Sequence, residues 1–549
     1  MTLAELLRGQ AFRLVSGTDA TTVSSLVHDS RRVKSGSAFF CLAGKHFDGH
    51  DFAAEAVARG ARAVVAERSL SSLPAGTPCA LVADARLAFA LAAARLWGHP
   101  SSHLRLVAVT GTNGKTTVNH LNEAIFLADG RPTGLIGTVE NHLGFARFPA
   151  DLTTPDAQDI QAGLAAMRRA GLTCACLEVS SHGLAGRRIA GCEVDVAILT
   201  NVARDHLEFH GDVRAYAATK LSLFRSLGQR SGRKPGPVYA ILNADDTFFD
   251  SFRRRLPAPV LTYGALRPAH VKLLWAGLGA KGSLVRMAFD FRPRGLPEAM
   301  WLRPAAGWPE TASVRFPHPG RHNVWNLLAS LAVAWTEGCR WEAAREAVER
   351  FPGVRGRWEV VASPDGVTGV VDFAHNPRGL AGALETARLA TRRRVILVFG
   401  CEGQKDRGKR PAMGEIAARL ADHVILTTDN TFFEDGRQIR EDIKRGLVGP
   451  AEHRGHRATY EIIADRREAI FRAAAIARSG DLVVVAGRGH DARLIFGSRV
   501  ETLDDRVVLE EALQCAGLSD QIAHPNCNLS LLSRHEAQPP APAASISRY

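Results

Sequence analysis

An apolar run, RLVAVT, passes directly into Thr110-Gly111-Thr112-Asn113-Gly114-Lys115-Thr116-Thr117 and then into a stretch of helical composition. Glycines in such a turn let backbone N–H groups close around phosphate oxygens, and the start of the following helix adds a favourable dipole. In that setting Lys115 reaches β- and γ-phosphates while the Thr116 hydroxyl ligates magnesium. The loop departs from the strict G-x-x-x-x-G-K-[ST] form, because Val109 stands where the first glycine belongs. Two further segments offer ligands for hard cations. Glu178-Val179-Ser180-Ser181-His182-Gly183-Leu184 follows a second apolar run, and Thr200-Asn201-Val202-Ala203-Arg204-Asp205-His206-Leu207 follows a third. A carboxylate and a histidine at neighbouring strand ends are well placed to hold such ions beside phosphates.

Residues of this kind need several strand ends in one place. Strands are predicted at 105–110, 174–180, 196–202 and 238–243, and a second set at 369–375, 393–401, 423–429 and 481–487. Ala/Leu/Arg-rich helical stretches alternate with them, which predicts an α/β protein with mainly parallel sheets and ligands at the C-terminal ends of strands. The Pro- and Gly-rich region 265–320 reads as irregular or antiparallel. From about 516 periodicity is lost, and the chain ends QPPAPAASISRY, the composition of a disordered tail. At 549 residues the chain is too long for one core.

Composition narrows the function classes. The first residues lack a signal-peptide pattern and the apolar stretch 87–97 is broken by Arg95, so a cytosolic protein without membrane insertion is expected. Nine cysteines without zinc-finger spacing point to reduced thiols, with Cys174 and Cys176 sharing one strand face. The net charge of +13 is spread along the chain rather than gathered in a nucleic-acid module, and it suits a substrate bearing phosphates and carboxylates.

The loop TGTNGKTT resembles that of the Mur ligase family, and the resemblance runs from about residue 20 to about residue 515. Members join an amino acid to a nucleotide-linked carboxylate through an acyl phosphate. The resemblance implies three domains: a UDP-binding α/β domain at 1–103, a phosphate-loop ATPase domain at 104–352 and a Rossmann-like domain at 353–515, before a tail at 516–549. It implies ATP on Gly111, Thr112, Asn113, Gly114, Lys115, Thr116 and Thr117, with Asn323 of Gly320-Arg321-His322-Asn323 near the adenine. Arg357 of Gly356-Arg357-Trp358-Glu359 is expected on the phosphates, and Asp372 and His375 on the ribose and phosphate region. Two magnesium ions are expected on Thr116, Glu178, His206 and Lys220. Lys220, in Tyr216-Ala217-Ala218-Thr219-Lys220, matches a family lysine that is carbamylated (N6-carboxylysine), an anionic ligand in place of an ammonium. Lys115, Lys220, His206 and Arg357 are the expected catalytic set.

For the acceptor, Ser30, Lys45 and His46 fall where family members contact UDP, and Thr153, Thr154, Ser181 and Arg188 where they hold a D-glutamyl carboxylate. The resemblance favours members that add the third residue to a UDP-linked muramoyl dipeptide, acting as monomers. The incoming amino acid is expected at Arg410, Asp429, Asn430, Phe432, Gly487 and Asp491. Three departures stand out. Diaminopimelate-adding members carry D-N-P-R where this chain has Asp429-Asn430-Thr431-Phe432, Asp491 replaces the usual Glu, and Arg378 follows the third domain's H-x-P in place of an acidic residue. Losing a bidentate arginine removes a charge-assisted pair, so lysine, ornithine or an unusual amino acid stays open. Two other readings also remain, a ligase recruited to specialised peptide biosynthesis and a catalytically silent nucleotide-binding paralogue.

Overall fold

The computed structural model describes residues 1–44, 47–144, 146–228, 234, 236–294, 307–363, 365–449 and 458–521. Three α/β layers follow one another along the chain. The first holds a five-stranded sheet in the order Phe12–Ser16, Cys79–Val82, Ala63–Ala66, Ser37–Phe40 and Ser25–Val27, parallel except for its first pair.

The second sheet has eleven strands and explains why the chemical segments meet. Arg105–Thr110 lies between Cys174–Glu178 and Val196–Leu199, both parallel to it, so the loops leaving all three emerge at one edge. The strand is apolar on both faces. Leu106 and Ala108 enter one core and Val107 and Val109 the other, as a parallel strand between two helix layers requires. Cys174 and Cys176 lie together on one face as buried free thiols. Helix Lys115–Ala128 packs by Val118, Leu121 and Ile125 against helix Arg321–Thr336. The region read as antiparallel supplies Val271–Gly279, Gly282–Phe289 and Thr311–Phe316, antiparallel to one another at one flank of the sheet.

The third sheet runs Glu359–Ala362, Thr368–Asp372, Leu482–Ala486, Val395–Phe399, His423–Leu426 and Thr459–Ile462, antiparallel only at its first pair. The last helix, Asp505–Gln521, continues six residues past the point where periodicity fades in the sequence. The remainder of the expected tail lies outside the described residues.

Candidate active site

Two glycines shape the turn after Arg105–Thr110. Gly111 has φ 151° and a Cβ there would run into Thr200 Oγ1; Gly114 has φ 89° and opens helix Lys115–Ala128. Left-handed backbone of this kind is cheap only for glycine. Lys115 Nζ donates to the carbonyls of Gly111 and Thr112, both at 3.0 Å. Lys220 Nζ donates to the same Gly111 carbonyl at 2.9 Å and lies 4.2 Å over the Tyr216 ring. Two amines thus share one acceptor. Burial draws Lys115 down, with Glu178 opposing the shift; burial and then Lys115 itself push Lys220 well below the ordinary lysine value.

Thr116 Oγ1 donates to Glu178 Oε2 at 3.1 Å. Glu178 also accepts from Thr138 N at 2.9 Å and Thr138 Oγ1 at 2.8 Å. Arg357, from beyond the second sheet, donates to Thr116 Oγ1 at 3.1 Å and lies 4.3 Å over Phe373. Hence one carboxylate, one hydroxyl and one guanidinium converge at the mouth of the loop. His206 stands apart from them, with φ 54°, 3.8 Å from Asp205 and 3.7 Å from Glu208. Its ring is 4.8 Å from that of His182, which burial, reinforced by His206, lowers to about 4. Non-glycine residues with positive φ gather at functional sites.

The third layer closes over this edge through polar contacts. Asn376 caps helix Pro377–Ala390 and reaches Asn113 Oδ1 at 3.0 Å and Asp205 Oδ2 at 3.2 Å. His375 Nδ1 donates to the Phe373 carbonyl at 2.8 Å, leaving Nε2 3.6 Å from Asp205. Asp372 accepts from Trp358 N at 2.7 Å, and burial raises its carboxyl. Arg204 pairs with Asp406 at 2.9 Å. Between the layers lies a cavity of about 750 Å³ whose walls include Asn113, Thr116, Thr117, Asn323, Arg357 and Asp372. Asn326 and Arg378 also line it.

This geometry suits a magnesium nucleotide. The glycine cradle is open to phosphate, cations lie on two sides, and the cavity has ligand dimensions. Among the described residues no three His, Cys, Asp or Glu side chains form a ready-made metal cage, so an ion here would complete its shell with phosphate oxygens and water.

On the acceptor side Thr154 Oγ1 donates to the Glu178 carbonyl at 2.9 Å, and Thr153 Oγ1 donates to Thr138 Oγ1 at 3.2 Å. Arg188 is tied to the Thr154 carbonyl at 2.8 Å and to Asp156 at 3.1 Å. Ser181 Oγ is buried without a partner among the described residues. Ser30 is buried in the short helix Ser30–Arg32 of the first layer; close by in sequence, His28 bonds Asp156 across the layers at 3.0 Å. Lys45 and His46 lie outside the described residues.

The residues expected at an amino-acid pocket divide. Asp429 and Asn430 face Arg488, at 3.5 and 3.1 Å, and Gly487 (φ 113°) approaches Asp429 closely. Phe432 has φ 49°, and Asp491 pairs with Arg493 at 3.2 Å. Arg410 lies apart from these, at the start of helix Lys409–Leu420. Its side chain is fully buried and held by Glu434 at 2.8 Å and Asp442 at 3.0 Å, while its Nε has no partner among the described residues. Residues given no role on sequence are Thr138, Asp205, Asn326 and Asn376. Asp205 and Asn376 adjoin His206 and His375, and that adjacency was the available signal.

The Mur ligase middle-domain model matches residues 109–334, the Mur ligase glutamate-ligase domain 356–489, and the Mur ligase family catalytic domain 22–87. The chain belongs to the Mur ligase family. As a member it is an ATP-dependent ligase that forms an amide between an acid and an amino acid, with the family's three-domain architecture. The UDP-N-acetylmuramoyl-L-alanyl-D-glutamate–2,6-diaminopimelate ligase of Geobacillus kaustophilus strain HTA426 is 40% identical over 495 residues, 90% of this chain and 96% of the relative. The enzyme of that name from Listeria monocytogenes serotype 4b is 36% identical over 94% of this chain and 99% of its own. A solved ligase of the same description is 30% identical, with a TM-score of 0.61 over 93% of this chain and 98% of its own. The MurF ligase from Thermotoga maritima in complex with ADP is 19% identical, with a TM-score of 0.56 over 91% and 99% of the two chains, a likeness of fold. Among the described residues no helix is long and apolar enough to cross a membrane.

Proposed function

We propose that this ligase adds the third amino acid to UDP-N-acetylmuramoyl-L-alanyl-D-glutamate in the cytosol, acting as a monomer with domains at 1–103, 104–352 and 353–515. The observation that supports this reading is the bonding of Thr153 and Thr154, expected to hold a glutamyl group, to Thr138 and Glu178 beside the phosphate loop. Thr116, Glu178, His206 and carbamylated Lys220 would hold two magnesium ions, which when bound would neutralise phosphate charge. Carbon dioxide adds to a neutral amine, and the burial of Lys220 favours that form; the resulting carbamate places an anion beside Lys115. Lys115 and Arg357 orient the γ-phosphate so that the acceptor carboxylate attacks it, giving an acyl phosphate and ADP. The incoming amine then attacks the acyl carbon and phosphate leaves. Positioning and charge neutralisation do the catalysis, and closure of the third layer keeps water from the acyl phosphate.

With Phe432 standing where diaminopimelate-adding members carry an arginine, that position offers no cation to a second carboxylate, while Arg410 stays the expected partner of the amino acid's own carboxylate. We therefore place lysine, ornithine or an unusual amino acid ahead of diaminopimelate, unlike the named relatives. The test is phosphate release with ATP, the UDP-dipeptide and an amino-acid panel, with product mass confirmed. Turnover with one monocarboxylic amino acid supports the whole reading. Preference for diaminopimelate overturns the pocket assignment, and no turnover with any amino acid overturns the acceptor. The latter outcome would favour recruitment to another carboxylate substrate.

A further inference from the structure

Behind the nucleotide cleft lies a second cavity, of about 980 Å³. The two share His318, Gly353, Val354, Arg357 and Trp358 as a common wall. That wall is the segment joining the second and third layers, and it is sharply bent: Gly353, Gly356 and Trp358 have φ of 92°, 69° and 51°. On one side of the cavity stands Lys281, in the turn between Val271–Gly279 and Gly282–Phe289; on the other stand Arg392 and Arg393, just past helix Pro377–Ala390. All three are exposed, and among the described residues no carboxylate pairs with them. The carboxylates that line the cavity are already engaged, Glu359 by Arg506 at 2.8 Å and Asp481 by Arg394 at 2.6 Å. The remaining wall is largely apolar, including Pro317, Pro352, Val360 and Leu482.

We propose that this hinge cavity binds an organic phosphate with an apolar body, bridging Lys281 to Arg392 and Arg393. Exposed cations that line one cavity without internal counter-ions among the described residues favour an anion, and a cavity of this size admits a metabolite. Because Arg357 belongs to the shared wall and also reaches Thr116, the ligand bears on the clamp at the nucleotide. This inference does not depend on which acceptor or amino acid the enzyme uses, and its test needs neither.

The probe is phenyl phosphate, titrated calorimetrically into the full-length protein saturated with Mg-ADP so that the phosphate loop is filled. Saturable binding is expected, weakened at least tenfold in K281E and in the double variant R392E/R393E, while R499E, an exposed arginine elsewhere, binds as the parent does. Hydrogen exchange over residues 353–358 should slow on binding. Absence of saturable binding at millimolar probe overturns the proposal. So does binding that the hinge variants leave unchanged, or that R499E weakens equally. Retained Mg-ADP binding in each variant shows that it is folded.

Discussion

Gly111 offers one carbonyl to two lysines, and each can be tested separately. Lys220→Ala is expected to lower kcat by roughly 10²–10³-fold, the loss typical of removing one charge-stabilising group from an enclosed site. The check is phosphate release, with a tryptic peptide of the parent heavier by one carbon dioxide when isolated without acid. Gly111→Ala places a methyl against Thr200 and strains a φ of 151°. It should abolish calorimetric ADP binding while costing roughly 1–3 kcal/mol of stability. Thr116, Glu178 and Arg357 were legible before the fold was known, since each sits in a contiguous motif that names its chemistry. Arg410 was not. What neutralises it comes from Glu434 and Asp442, 24 and 32 residues further on, and no local pattern announces such partners.

That pairing belongs to the scale of elements, because it ties helix Lys409–Leu420 to helix Gly436–Val448. The hydrogen bonds from Arg410 lower the Glu434 carboxyl from 4.5 to about 2, outweighing burial. Its folded value therefore lies below its unfolded one. The stabilisation is fully present above pH 4.5 and is lost as pH falls through about 2. Glu434→Gln should destabilise by about 1–3 kcal/mol at neutral pH, since Arg410 loses its charge-assisted bonds to Glu434 but keeps Asp442, and the difference from the parent should shrink on acidification in urea titrations. Strand positions and the parallel character were readable because both faces of 105–110 and 482–486 are apolar. The flanking hairpins were only half visible, since a turn rich in Pro and Gly hides its alternation. Leu106→Ala in the central strand should cost about 2–5 kcal/mol, read as a lower urea midpoint at unchanged slope.

Across the whole molecule, second and third layers meet at the site through Arg357–Thr116, Asn376–Asn113, Asn376–Asp205 and Arg204–Asp406. The Arg204 side chain is 52% exposed, so its ion pair contributes no more than about 1 kcal/mol. Arg204→Ala should accordingly lower kcat/KM by less than about fivefold, whereas Arg357→Ala should lower it by roughly 10²-fold or more. The layered architecture followed from strand–helix alternation; the order of eleven strands did not, because nothing local records which edges pair.

Those cross-layer contacts share one property: each is a hydrogen bond or ion pair between polar side chains. Polar side chains that part can be taken up by solvent once the layers separate, so contacts of this kind suit a clasp that can open and close. A product must leave before the next nucleotide enters, and the clasp would have to open for that exchange. Added salt, which screens the charged members first, would make the clasp slip sooner and the acyl phosphate leak to water more often.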